Sequence, residues 1–166
     1  MTTNLTHPGS CLICGCGNPL FGDDGFGPEV IERLTAHYRL PEHAVCVDAG
    51  TAVRDLLFDI ILSESKPERI IILDASSQPG KQPGEISEID INAIAPQKTA
   101  DFSLHQFPTT NMLKELKEHT DIDVRVLVVQ PEYIPDEIDP GLSGSVALAV
   151  DEMCRRVKVI LEKEVS

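Results

Sequence analysis

The sequence has 166 residues, 42% of them hydrophobic and 25% charged, which supports one sizeable core and excludes a disordered chain. Its net charge of −13 repels phosphate backbones and anionic lipid heads, so neither nucleic acid nor a membrane surface is expected as a partner. The longest uninterrupted apolar run is Val146 to Val150, against the ~20 residues of a spanning helix, and no charged residue precedes Asp23; a cytoplasmic protein without a signal peptide is expected.

Residues 1–10 (MTTNLTHPGS) read as a flexible arm, and residues 11–166 as a single α/β domain. CLICGCG, from Cys11, reads as a first strand buried on both faces because polar alternation is missing. Alternate strand residues face opposite ways, which puts Cys14 and Cys16 on one face and Cys11 on the other. No second Cys/His pair follows at zinc-site spacing, so these cysteines are expected to be packing residues. Pro28 suits the first turn of a helix whose face is Val30, Ile31, Leu34 and Tyr38. AVCVDA (44–49) reads as the second strand. Thr51 is the expected cap of a helix with the stripe Val53, Leu56, Leu57, Ile60 and Ile61.

IIILDA (70–75) is the third strand, β-branched and apolar until Asp74. The turn-rich SSQPGKQPG that follows is too short for a helical crossover, so EISEIDI (85–91) should run antiparallel to it. The strict alternation of that fourth strand fits a half-wet position near a sheet edge. Thr109 or Thr110 opens a short helix with Leu113 and Leu116. VRVLVV (124–129) is the fifth strand, and the last helix runs from about Ser143 to Glu162, with Val146, Ala149, Val150, Met153, Val157, Ile160 and Leu161 on one face. Such alternation gives a three-layer α/β/α sandwich around a mostly parallel sheet.

Ligands of open α/β sheets collect outside the carboxyl ends of the parallel strands. There the chain places the Asp23–Asp24 pair after strand one, Asp48 after strand two, Asp74 ending strand three, and Asp101 and His105 after strand four. Each has a plainer use: Asp before a helix is a favoured cap, with Asp23 the better candidate, Asp74 can tie down a turn, and a loop histidine is usually a surface residue. Phe102, Leu104 and Phe107 flank His105 and should dock its loop against the body. Two carboxylates and an imidazole on one rim suit a divalent transition metal whose remaining ligands come from a partner. Asp24 with Asp74 also suits an acid–base dyad. No serine or cysteine nucleophile has a convincing partner, and Gly-x-Ser-x-Gly is absent. Gly15-Cys16-Gly17 with Asp48 imitates a dinucleotide fingerprint, but Leu20 stands where a third glycine belongs and two acids oppose a pyrophosphate. Phe21 and Phe26 are either core residues or an apolar docking edge beside the site.

The string GCGNPLFGDDGFG, with DAGTA at 48–52, ILDA at 72–75 and the His105 loop, resembles the maturation endopeptidases of nickel–iron hydrogenases over residues 12–161. Within that family the first motif is similar to that of the branch serving the deazaflavin-coenzyme-reducing hydrogenase of methanogenic archaea. The resemblance implies a five-stranded mixed sheet of order 2-1-3-5-4 with strand 4 antiparallel. It also implies an endopeptidase that removes a C-terminal extension from the hydrogenase large-subunit precursor after nickel insertion. By the same likeness Asp24, Asp74 and His105 are the metal-contacting and catalytic residues. The metal is nickel presented by the substrate, and no tightly bound organic cofactor is expected. Asp48 is a candidate orienting residue, and the catalytic base is left open. Many members carry Glu where this chain has Asp24, one methylene shorter, which alters the approach to a metal. The alternatives are a dinucleotide-dependent enzyme, which would bind a nicotinamide cofactor, and a non-catalytic nickel-binding chaperone, which would leave the precursor uncut.

Overall fold

Apolar runs become strands here wherever both faces are covered, and amphipathic stretches become the covering helices. The computed structural model describes residues 5–93 and 110–163. In chain order the elements are β1 (Cys11–Cys16), α1 (Phe26–His37), β2 (Ala44–Gly50), α2 (Val53–Leu62), β3 (Arg69–Ala75), β4 (Ile86–Ile89), α3 (Thr110–His119), β5 (Asp123–Val129) and α4 (Gly144–Glu162). Single 3₁₀ turns occupy Gly22–Gly25 and Ile91–Ala93.

The sheet has five strands in the order β2-β1-β3-β5-β4. β1 pairs in parallel with β2 and β3, and β3 with β5. β4 runs antiparallel along β5, with Ile86 opposite Val129 and Ile89 opposite Val126. The short 76–85 connection therefore does reverse the chain, and β4 takes the edge that its alternation suits. The strand expected to reach residue 91 ends at Ile89; Asp90 Oδ1 accepts the Asn92 amide at 2.9 Å, and the turn that follows buries Ile91.

Period-two alternation divides the core between the two sheet faces. Ile13, Ile71, Leu73, Leu127 and Val129 meet α1 and α4 through Val30, Leu34, Val146, Met153 and Val157. On the other face Leu12, Cys14, Cys16, Ile70, Ile72, Val126 and Val128 meet α2 and α3 through Leu57, Ile60, Leu113 and Leu116. The cysteine faces are those the alternation predicts. The whole expected stripe of α4 is buried, and Cys154 is buried beside it.

The structure supplies three local details. Thr51 does not cap α2: it is an exposed turn residue, and the helix begins after Ala52 without a side-chain cap. Residues 5–10 of the expected arm lie against the body, where Leu5 packs on the second core cluster and Ser10 is fully buried with its carbonyl accepting the Glu68 amide at 2.8 Å. Arg69 begins β3 as a buried cation. Its Nε donates to Asp123 Oδ2 at 2.7 Å, and its Nη1 donates to the Ile160 carbonyl at 2.6 Å and the Lys163 carbonyl at 3.1 Å. One side chain thus joins β3 to β5 and satisfies carbonyls at the end of α4.

Candidate active site

At the carboxyl ends of β1 and β3, glycines let α1 settle onto the strands. A Cβ on Gly27 would lie 2.3 Å from the Cys16 carbonyl oxygen and 2.6 Å from that of Leu73. The first turn of α1 therefore rests directly on both strand backbones. Gly17 has φ +123°, and a Cβ there would lie 1.9 Å from the Asp24 carbonyl oxygen. The loop after β1 consequently folds back on itself, and the Asn18 amide donates to Asp24 Oδ2 at 2.9 Å. The glycines that imitate a dinucleotide fingerprint face this chain's own backbone.

This packing puts two carboxylates at the ends of neighbouring strands. Asp24 is buried, at 5% exposure, in the Gly22–Gly25 turn, and Asp74 is partly buried as the penultimate residue of β3. Burial pushes Asp74 well above the usual carboxylate range; the Ala75 amide, donating to its Oδ1 at 2.8 Å, partly offsets this, and the charge of Asp24 adds to it. Burial and the Asp24 charge both favour the protonated form of Asp74 over its carboxylate. Asp48, exposed at the end of β2, closes a local turn by accepting the Gly50 amide at Oδ1, 3.1 Å. His105 and Asp101 lie outside the described residues.

The adjacent Asp23 has a different task from the expected cap of α1. It is fully buried and caps nothing in its own helix. Its Oδ2 accepts the amides of Glu132 and Tyr133, both at 2.8 Å, and the Ser143 hydroxyl at 2.9 Å; its Oδ1 accepts the Ser143 amide at 2.7 Å. Ser143 is the residue that leads into α4, so Asp23 joins the loop after β1 to the chain between β5 and α4. Nothing local in the sequence marks these partners, which lie 109 to 120 residues away.

All five cysteines are free. Burial pushes the thiols of Cys11 and Cys14 up to about 12. Cys16 is raised by burial first, then by the charges of Asp74, Cys14, Asp48 and Asp24 around it. Such groups stay protonated and unreactive, as packing residues should. Among the described residues no group of three His, Cys, Asp or Glu side chains stands together as a metal site. Phe26 is fully buried among α1, α4 and the sheet, so it is core and not a docking edge; Phe21 is partly buried and makes an isolated parallel bridge with Asp139. Among the described residues no helix is long and apolar enough to cross a membrane.

The profile of the hydrogenase maturation protease family matches residues 28–160. This chain belongs to that family. A Methanothermobacter thermautotrophicus relative named coenzyme F420 hydrogenase subunit delta is 31% identical over 163 residues, covering 96% of this chain and 97% of the relative. The hydrogenase 3 maturation protease of Escherichia coli is 34% identical over 124 residues, 74% of this chain and 73% of its own. Among solved structures, the hydrogenase maturating endopeptidase HybD from E. coli superposes with a TM-score of 0.72 at 26% identity, covering 92% of this chain and 91% of that one. The mixed sheet order and the antiparallel β4 agree with the architecture expected of a maturation protease. Membership makes the protein an endopeptidase, and the dinucleotide alternative drops away.

Proposed function

We propose that this maturation protease removes a C-terminal extension from a nickel–iron hydrogenase large-subunit precursor once nickel has been inserted. In this reading the precursor's cysteines hold the nickel, and Asp24, Asp74 and His105 complete its contacts. The observation that carries it is the Asp24–Asp74 pair, a buried carboxylate in the Gly22–Gly25 turn and a second at the end of β3 that burial and the Asp24 charge push above the usual carboxylate range. A soft ligand set on the substrate and a harder oxygen and nitrogen set on the protease together suit a borderline divalent ion.

Docking the metal against this pair fixes the scissile peptide relative to the enzyme, so remote binding energy becomes orientation at the reacting bond. Water then adds to the carbonyl carbon, the C–N bond breaks, and the new amine leaves with a proton. The deciding experiment incubates the full chain with purified precursor, nickel-loaded and nickel-free, and weighs the products by mass spectrometry. Only the nickel-loaded precursor should shorten, and Asp24→Asn, Asp74→Asn and His105→Ala should each abolish the cut. Equal cleavage of both forms would refute nickel recognition, and an uncut nickel-loaded precursor would refute the assigned substrate.

A further inference from the structure

Between β5 and α4 the chain runs through PEYIPDEIDP (131–140), which has no regular secondary structure beyond one bridge, yet is tied down at both ends. Asp23 holds the amides of Glu132 and Tyr133, and its own amide donates to the Tyr133 carbonyl at 3.0 Å. Further along, the Asp139 amide donates to the Leu20 carbonyl at 2.8 Å, and the Gly22 amide donates to the Asp139 carbonyl at 2.9 Å. This anchoring serves no burial of the segment's own apolar side chains. Tyr133 is 54% exposed, Ile134 40% and Ile138 68%, and Leu20 on the loop clamped to them is 47% exposed. Singly exposed apolar residues are ordinary, but these four sit on one patch of chain, two loops fixed to each other by backbone hydrogen bonds, and three prolines stiffen it further.

The patch adjoins the candidate site through consecutive residues. Within the turn Gly22–Gly25, Asp23 grips the 131–140 segment while Asp24 faces Asn18 and bears on Asp74. Its charge is one-sided, with Glu132, Asp136, Glu137 and Asp139 and no lysine or arginine in the ten residues. Two copies of such a surface repel each other, whereas a basic polypeptide is attracted to it.

We propose that segment 131–140 with Leu20 is a preformed docking surface for a segment of the polypeptide substrate that carries apolar side chains flanked by lysine or arginine. The inference rests on the proteolytic reading above. Because the loops are already held in place, docking costs little ordering entropy, and the apolar contacts supply affinity while the carboxylates supply attraction and register.

The test uses the full chain and nickel-loaded precursor, with cleavage followed at steady state and at two salt concentrations. Tyr133→Ser/Ile138→Ser should raise KM about tenfold or more with kcat within about twofold, as truncation of an aromatic anchor and its neighbour does. Asp136→Lys/Glu137→Lys should also raise KM and should flatten its salt dependence. All four side chains are exposed, so melting temperatures should match the wild type. Wild-type KM in both variants, with an active wild type, overturns the docking surface and leaves the protease reading intact. A wild type that cannot cut the precursor overturns both. A wild-type dimer that Tyr133→Ser/Ile138→Ser dissociates without changing KM assigns the patch to a second copy and also overturns the proposal.

Discussion

Asp23 and Asp24 are neighbours of identical chemistry, and the fold predicts opposite consequences for their loss. Asp23→Ala removes the acceptor of three backbone amides and one hydroxyl, all between 2.7 and 2.9 Å, around a fully buried side chain. Each hydrogen bond to a charged acceptor is worth about 1.5–3 kcal/mol, and donors left unsatisfied add their desolvation penalty. The four bonds share one carboxylate and relax together, so the sum is not realised. A buried donor left unsatisfied costs about 1–3 kcal/mol, and with several such donors relaxing together a loss of roughly 3–5 kcal/mol is expected. For a domain of this size each kcal/mol lowers Tm by roughly 2–4 °C, so the variant should melt about 6–20 °C below wild type. Asp24→Ala gives up the Asn18 amide but also relieves the charge facing Asp74. Its stability loss should be smaller than that of Asp23→Ala, while precursor cleavage is lost. Urea unfolding followed by circular dichroism, with cleavage assayed on the same samples, measures both axes. A Tm for Asp23→Ala within 2 °C of wild type, or a larger loss for Asp24→Ala, would refute this division of labour.

The close approach of α1 to the strands predicts that Gly27→Ala destabilises despite the ~1 kcal/mol that alanine gains in a helix. The new Cβ meets only backbone, at 2.3–2.6 Å, so a net loss of about 2 kcal/mol or more is expected from thermal melts, together with reduced cleavage as Asp24 shifts. Arg69→Met should cost about 3–5 kcal/mol, because the Asp123 carboxylate and the Ile160 and Lys163 carbonyls lose their donor; a change under 1 kcal/mol in urea midpoint analysis would contradict that assignment. Asp74 has a folded pKa above its unfolded one, so the folded state binds the extra proton. Its stabilising contribution is complete below about pH 4 and is lost as pH rises through the folded value. Asp74→Asn should therefore melt higher than wild type at neutral pH with a flatter pH dependence, and a lower Tm at pH 7 would show the sign to be wrong. Native protein at pH 8 should resist thiol-directed alkylation, since burial pushes the Cys11 and Cys14 thiols up to about 12 and that of half-buried Cys46 up to about 11, whereas all five cysteines should react after unfolding in urea; rapid native labelling of any of the three would contradict the raised pKa.

Local pattern was sufficient for the elements and their faces. β1, β3 and the end of β5 are buried on both sides, which leaves an unbroken apolar signature, and the stripe of α4 repeats at helical period for its whole length. The ten residues between β3 and β4 are too short for a crossover, so chain length alone required the reversal. The acids at strand ends were legible because ligand-binding loops of this fold class gather there. What sequence could not supply was the work of individual side chains. Asp23 and Asp24 present the same chemistry, and the Gly22–Gly25 turn sends one toward Ser143 and the other toward Asn18. Phe26 and Phe21 look alike until packing buries the first completely. Arg69 lies just outside the apolar run that marks the third strand, yet it begins β3, and its partners come from β5 and from the end of α4. Periodicity and turn chemistry act over a few residues, and they determined the layers, the helix faces and the rim where acids collect. Hydrogen bonds spanning some hundred residues obey no such period, so only the assembled tertiary structure could decide which aspartate holds the fold together and which stands beside Asp74.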